Sequence, residues 1–126
     1  MPYSLVFDTE EKLIKITMQG TVNLPMVTKL ASEVAEIAKE HNCFLILNDA
    51  REAIPDISVI GIHDLPKIFS EILSSAGIQI SKFKRAIVVS KNINDFNFFE
   101  TVSRNRAQNV MLFRDIHEAK KWLFEK

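Results

Sequence analysis

The spacing of apolar and polar positions predicts that strands and helices alternate along this chain. Tyr3 to Asp8 and residues 12–20 are predicted to form two strands, joined by a short polar turn. From Ile14 to Met18 apolar and polar side chains alternate, which is the period of a half-buried strand. Because so short a connection reverses the chain direction, we expect this pair of strands to be antiparallel.

Further along the chain, other segments carry the helical period and continuous apolar runs. Three short runs are typical of strands covered on both faces: residues 43–47, 86–89 and 110–113. Apolar side chains recur every three or four positions in four amphipathic segments: residues 27–38, 65–76, 95–108 and a last helix that begins at Asp115. Asn23 is a suitable N-cap for the first helix, and Gly77 stands where the second should end.

The predicted order of elements is therefore ββαβαβαβα. Strands that alternate with helices form a mostly parallel sheet with right-handed crossovers. The antiparallel N-terminal hairpin makes the sheet mixed, so the sequence predicts an α/β fold with five strands. Since no linker, repeat or low-complexity stretch interrupts the pattern, we expect one domain over residues 1–126.

Composition excludes several classes of function. Sixteen Lys and Arg balance sixteen Asp and Glu, so the basic surplus that nucleic-acid binding requires is absent and no nucleic-acid partner is expected. The single cysteine allows no intramolecular disulfide and no multi-cysteine zinc site, and three glycines are too few for the common phosphate loops. No targeting pattern or transmembrane run is found, which predicts a cytoplasmic location.

Polar side chains follow the predicted third and fourth strands, where α/β sheets usually hold their ligands. Asp49, Arg51, Ser90 and Lys91 are candidates for binding an anion or handling a phosphoryl group. The alternative is that they cap strand ends and form salt bridges at a solvated rim.

The residues most often used in catalysis do not form a recognisable site. The three histidines have no metal-ligand spacing to one another or to Cys43, which opens a buried strand and should behave as a small apolar residue. No serine lies in a nucleophile-elbow setting. The sequence therefore predicts no catalytic residues, no metal site and no cofactor, and the protein is not expected to be an enzyme.

Ser58 is a candidate for phosphorylation because of its position between the third strand and the second helix. Asp56 and Ser58 are both good N-cap residues, and capping is the structural alternative to a functional role. A phosphate at this position would face the N–H groups and the positive end of a helix dipole.

The order of elements resembles the STAS or SpoIIAA-like fold, which is shared in outline with CRAL-TRIO lipid-binding domains. The resemblance covers nearly the whole chain and is carried by residues 12–20, residues 44–49 with Arg51, residues 85–89, residues 110–113, and Asp115 with residues 118–123. It implies a fold more specifically than it implies a biochemical activity.

This resemblance implies a regulatory or protein-binding module. In anti-sigma-factor antagonists of this fold, a partner kinase phosphorylates a serine in an Asp-Ser-Ser-Gly segment. Asp56 and Ser58 match the first and third positions of that segment, whereas Ile57 and Val59 replace the second serine and the glycine. The implied partner is a protein, such as a kinase or an anti-sigma-like factor, and association into a homodimer is a further expectation.

The likeness to CRAL-TRIO domains implies a different function, a carrier of a small apolar ligand or lipid. Nine phenylalanines and the apolar second and third helices agree with that alternative, although a core of this size also needs such side chains. Both functions remain open on the sequence, together with an anion-handling enzyme that would use Asp49, Arg51 and Lys91.

Overall fold

The computed structural model describes residues 3–90 and 93–125, which form one five-stranded sheet with helices on both faces. The strands are β1 (Tyr3–Asp8), β2 (Leu13–Val22), β3 (Leu45–Pro55), β4 (Lys84–Val88) and β5 (Asn109–Phe113). The helices are α1 (Leu24–His41), α2 (Val59–Ser75), α3 (Ile93–Asn105) and α4 (Ile116–Phe124), and a short 3-10 turn, Ile80–Lys82, precedes β4.

The strands are neighbours in chain order, β1-β2-β3-β4-β5. β1 pairs antiparallel with β2, with Phe7 opposite Ile14, and every later pair is parallel. The predicted order ββαβαβαβα and the mixed sheet with its N-terminal hairpin are therefore confirmed.

Two apolar cores lie on the two faces of the sheet. The larger core is packed by α1, α2 and α3, and the smaller one by α4 through Ala119 and Leu123. Successive strand residues point to opposite faces, so Ile46 belongs to the larger core and Leu47 to the smaller. This double coverage explains why the central strands are continuous apolar runs in the sequence. Among the described residues, no helix is long and apolar enough to cross a membrane.

β3 is longer than its apolar run predicts. Its parallel ladder with β2 continues to the pair Val22 and Pro55, with a register shift on the way. The prediction that the strand ends before Asp49 is therefore wrong, since Asp49 and Arg51 lie inside β3. The segment between β3 and α2 is correspondingly reduced to residues 56–58.

Residues in the left-handed conformation follow the ends of α2 and α3. Gly77 has φ +80°, and its N–H bonds to the carbonyl of Ser74, which confirms the predicted end of α2. α3 ends at Asn105, earlier than predicted, because Ala107 takes the same conformation with φ +60°. The Gln108 N–H then bonds to the carbonyl of Ser103. The sequence pattern predicts that Ala107 lies on the buried side of α3, and this prediction is wrong, because Ala107 is exposed in the cap.

Candidate functional site

Ser58 caps the start of α2. Its side chain accepts a hydrogen bond from the Gly61 N–H at 3.0 Å while remaining exposed to solvent. A Cβ atom at Gly61 would lie 2.8 Å from Cγ2 of Ile57 and 3.2 Å from Oγ of Ser58, so glycine leaves the room that the cap needs. Asp56, the other predicted cap, instead donates its backbone N–H to the carbonyl of Val22 at 2.8 Å.

Exposed apolar side chains flank this serine. Ile54 is 61% exposed, Val59 68% and Ile60 76%, and only residues 55–58 separate the first from the other two. Among the described residues two other large apolar side chains are markedly exposed, and they lie on β1 and α4. We call Ile54, Ser58, Val59 and Ile60 the Ser58 surface.

A second group of predicted residues lies on the other side of the sheet. Asp49 and Arg51 form a two-pronged ion pair, with Nε 2.9 Å from Oδ1 and Nη2 2.8 Å from Oδ2. These hydrogen bonds from Arg51 lower the pKa of Asp49. The carboxylate of Asp49, and more weakly those of Glu52 and Asp115, raise the pKa of Arg51. An anion at Arg51 would compete with Asp49 for the guanidinium and would meet the negative charges of Glu52 and Asp115.

The predicted site residues therefore separate into two groups. Ser90 belongs with Asp49 and Arg51, since its Oγ donates to the backbone carbonyl of Arg51 at 2.8 Å. Asp49 and Arg51 lie on the face that α4 covers, whereas Ser58 begins α2 on the opposite face. Lys91 lies outside the described residues.

The histidines and the cysteine take no part in either group. All three histidines are exposed: His41 stacks on Phe7 with ring centroids 3.9 Å apart, and His63 lies 3.2 Å from the carboxylate of Asp64. Cys43 is buried. Over residues 3–90 and 93–125, no three His, Cys, Asp or Glu side chains are placed to hold a metal ion together.

Sequence reasoning missed two cavities between the sheet and helices α1, α2 and α3. Their volumes are about 90 and 100 Å³, and they adjoin because they share lining residues. Apolar side chains dominate the shared lining, which consists of Met18, Val27, Asn48, Phe69, Ile87 and Phe99. A cavity in this position lies beneath α2, the helix that begins at the Ser58 surface.

Two polar groups in the lining have no hydrogen-bond partner within the described residues. They are Oδ1 of Asn48 and Nε of Arg85, and both atoms are buried. The Arg85 side chain is otherwise held at its tip, where Nη2 donates to Oε1 of Gln108. Gln108 is itself fixed, because its Nε2 donates to the carbonyl of Pro66 at 2.8 Å.

The sequence did contain a signal for Arg85. The predicted strand 86–89 leaves this arginine outside, but β4 begins at Lys84. Strand alternation then places Arg85 on the same face as Ile87 and Val89, which belong to the larger core. A charged residue in phase with core residues is the pattern that would have identified it.

Comparison with known proteins bears on the fold. No protein-family model matches the sequence, and no curated protein matches it. The chain is similar to the crystal structure of an uncharacterized protein from the DUF3478 family with a SpoIIAA-like fold, from Shewanella loihica PV-4. The two share 15% identity with a TM-score of 0.61, over 96% of this chain and 91% of that chain. This chain has a SpoIIAA-like fold.

The resemblance seen in the sequence is thus confirmed at the level of the SpoIIAA-like fold. An identity this low carries no activity, partner or ligand from one protein to the other. The phosphorylation of Ser58 that the resemblance implies remains a prediction.

Proposed function

We propose that this SpoIIAA-like chain is a non-enzymatic protein-binding module, and that the Ser58 surface is its contact surface. The supporting observation is that three of the five exposed large apolar side chains among the described residues lie close together along the chain, on either side of one exposed serine. A large exposed apolar patch often marks an interaction site, and these three side chains are the candidates for forming one. Burial of Ile54, Val59 and Ile60 against a partner would contribute roughly 1.5–3 kcal/mol for each side chain.

Ser58 is the proposed switch of this surface. A phosphate on its Oγ would carry about −1.5 to −2 charges beside the three apolar side chains. The free N–H groups and the dipole of α2 favour a negative charge at this position, so the helix can accommodate it. A partner that buries the apolar side chains would have to desolvate the phosphate. Phosphorylation by a kinase would therefore release the partner.

Site-specific photo-crosslinking in the host tests the contact surface. A photoreactive aromatic amino acid is placed at Ile60 and, as a matched control, at Val6, which is 54% exposed on β1. We expect a discrete crosslinked protein from position 60, absent from position 6 and lost when Val59→Asp is added. The proposal is wrong if both positions give the same products or if position 60 gives none.

Binding of a small apolar ligand is a second proposed function, supported by the two cavities. An engineered cavity of roughly 150 Å³ is large enough to hold benzene. Adjoining volumes of about 90 and 100 Å³ therefore offer room for a ligand of that order. Since their lining is mainly apolar, the hydrophobic effect would favour its entry.

A further inference from the structure

Arg85 is a partly buried cation whose guanidinium bonds to Gln108 and lies over the ring of Phe99, with 6.0 Å between its Cζ and the ring centroid. None of the ion pairs among the described residues includes it, and its Nε is buried without an acceptor. Burial lowers the pKa of Arg85 to about 10, so the guanidinium is still charged at neutral pH. Buried charges in proteins are normally paired, because an unpaired charge in an apolar environment is costly.

The partner that Arg85 lacks would lie in the cavity of about 100 Å³, which its side chain lines. Arg85 is opposite Ile46 in the parallel ladder of β3 and β4, and Asn48 is two residues further along β3. Asn48 and Arg85 are therefore diagonal neighbours on one face of the sheet. A half-turn of the Asn48 amide would present its NH2 group in place of the unpartnered oxygen.

The rest of the cavity has the opposite character. Leu30 and Val34 of α1, Phe69 and Leu73 of α2, and Phe99 of α3 line it. A ligand that satisfies both regions needs an acceptor with a negative charge at one end and an apolar body at the other. Asp95 lines the neighbouring cavity, so its carboxylate disfavours an anionic group there and favours placement at Arg85.

We propose that this cavity binds a small apolar carboxylate, whose carboxylate group pairs with Arg85 and Asn48 and whose apolar body packs against Leu30, Phe69 and Phe99. The proposal rests on the second proposed function and names its ligand class. It is independent of the Ser58 surface.

Calorimetric titration of the purified full chain tests this inference. Hexanoate is the probe, and heptan-1-ol, an uncharged alcohol with the same number of non-hydrogen atoms, is the matched control ligand. We expect hexanoate to bind at least about tenfold more tightly, since a hydrogen bond to a charged group usually accounts for that factor or more. Equal binding of the two overturns the carboxylate inference and leaves the apolar-ligand function standing. No binding of either overturns both.

Variants locate the carboxylate group. Arg85→Met should weaken hexanoate binding about tenfold or more and change heptan-1-ol binding less than about twofold. Arg114→Met, the same substitution at an exposed arginine, should change neither. Asn48→Leu leaves the charge in place and should weaken hexanoate binding selectively, which provides a test if Arg85→Met does not fold. Unchanged hexanoate binding in folded Arg85→Met or Asn48→Leu overturns the proposed site.

Discussion

Substitutions of Ser58 separate its structural role from its proposed regulatory role. Ser58→Ala removes the acceptor of the Gly61 N–H, which is 3.0 Å from Oγ in the native helix start. Loss of a serine N-cap costs about 0.5–2 kcal/mol. Because the site is exposed, water can replace part of the lost bond, so we expect about 1 kcal/mol in the free energy of unfolding. For a chain of this length that corresponds to a fall in Tm of roughly 3–5 °C.

Ser58→Asp should preserve the stability of the protein and weaken its binding to the partner. An aspartate can accept the same hydrogen bond, and its charge faces the positive end of α2, so we expect stability within about 0.5 kcal/mol of the wild type. The same charge lies beside Ile54, Val59 and Ile60, where it would oppose burial against a partner. The alanine variant should thus lose stability and keep its partner, whereas the aspartate variant should keep stability and lose its partner.

Urea unfolding and the crosslinking yield at position 60 measure the two effects. The urea m-value should be unchanged in both variants, because neither alters the surface exposed on unfolding. An alanine variant within about 0.3 kcal/mol of the wild type would show that the cap contributes nothing in solution. An aspartate variant that crosslinks as well as the wild type would refute the argument that charge at Ser58 releases the partner.

Other consequences of the structure can be measured directly. Ala107→Gly should stabilise the protein by about 0.5–1 kcal/mol in urea unfolding, because an alanine in the left-handed conformation is strained. Gly77→Ala should destabilise it by about 1 kcal/mol for the same reason, and equal effects of the two substitutions would contradict the assigned caps. The hydroxyl of Tyr3 donates to Glu33, and this bond together with burial raises the pKa of Tyr3 to about 12. The ultraviolet titration of this single tyrosine should therefore have its midpoint near 12, and the midpoint should fall towards 10 in Glu33→Gln. The stability that this bond contributes should be present below pH 10 and lost as the pH rises towards 12. Hydrogen bonds from the backbone N–H groups of Glu11 and Glu10 and from Lys15 lower the pKa of Asp8 to about 2. The stability that these bonds contribute should be lost as the pH falls from about 4 to 2, and Asp8→Asn should lack that dependence in acid unfolding. An unchanged acid profile in Asp8→Asn would assign the loss to other carboxyl groups.

The elements were predictable where local pattern and packing agree. β2 alternates because only one of its faces is fully covered, and the alternation from Ile14 to Met18 is visible in the sequence. Asn23 and Gly77 mark the start of α1 and the end of α2, where the structure places a side-chain cap and a left-handed residue. These signals are local, so they need no knowledge of the sheet.

Element ends that depend on distant partners were not predictable. β3 continues beyond its apolar run because β2 supplies hydrogen-bond partners as far as Val22, and no pattern within residues 48–55 shows that ladder. Ala107 ends α3 in a conformation that alanine rarely adopts, so propensity pointed to a longer helix. In both cases tertiary contacts override a local preference.

The candidate sites show the same division between local and distant information. Ser58 was found from the sequence because capping is a local property of the residues around it. The pairing of Asp49 with Arg51 is also local. In the sequence both residues looked suited to binding an anion, but in the structure they form an ion pair with each other.

Arg85 differs because its importance lies in a missing contact, and a missing contact is visible only when all neighbouring elements are in place. A desolvated guanidinium normally has a carboxylate partner, but that of Arg85, whose Nε is buried, forms no ion pair with any described residue. An apolar side chain of similar volume would avoid the cost of desolvating the charge, whereas Arg85 keeps that cost and gains the bond to Gln108. Its position beside an apolar cavity and the unpartnered Oδ1 of Asn48 supports the proposed carboxylate site.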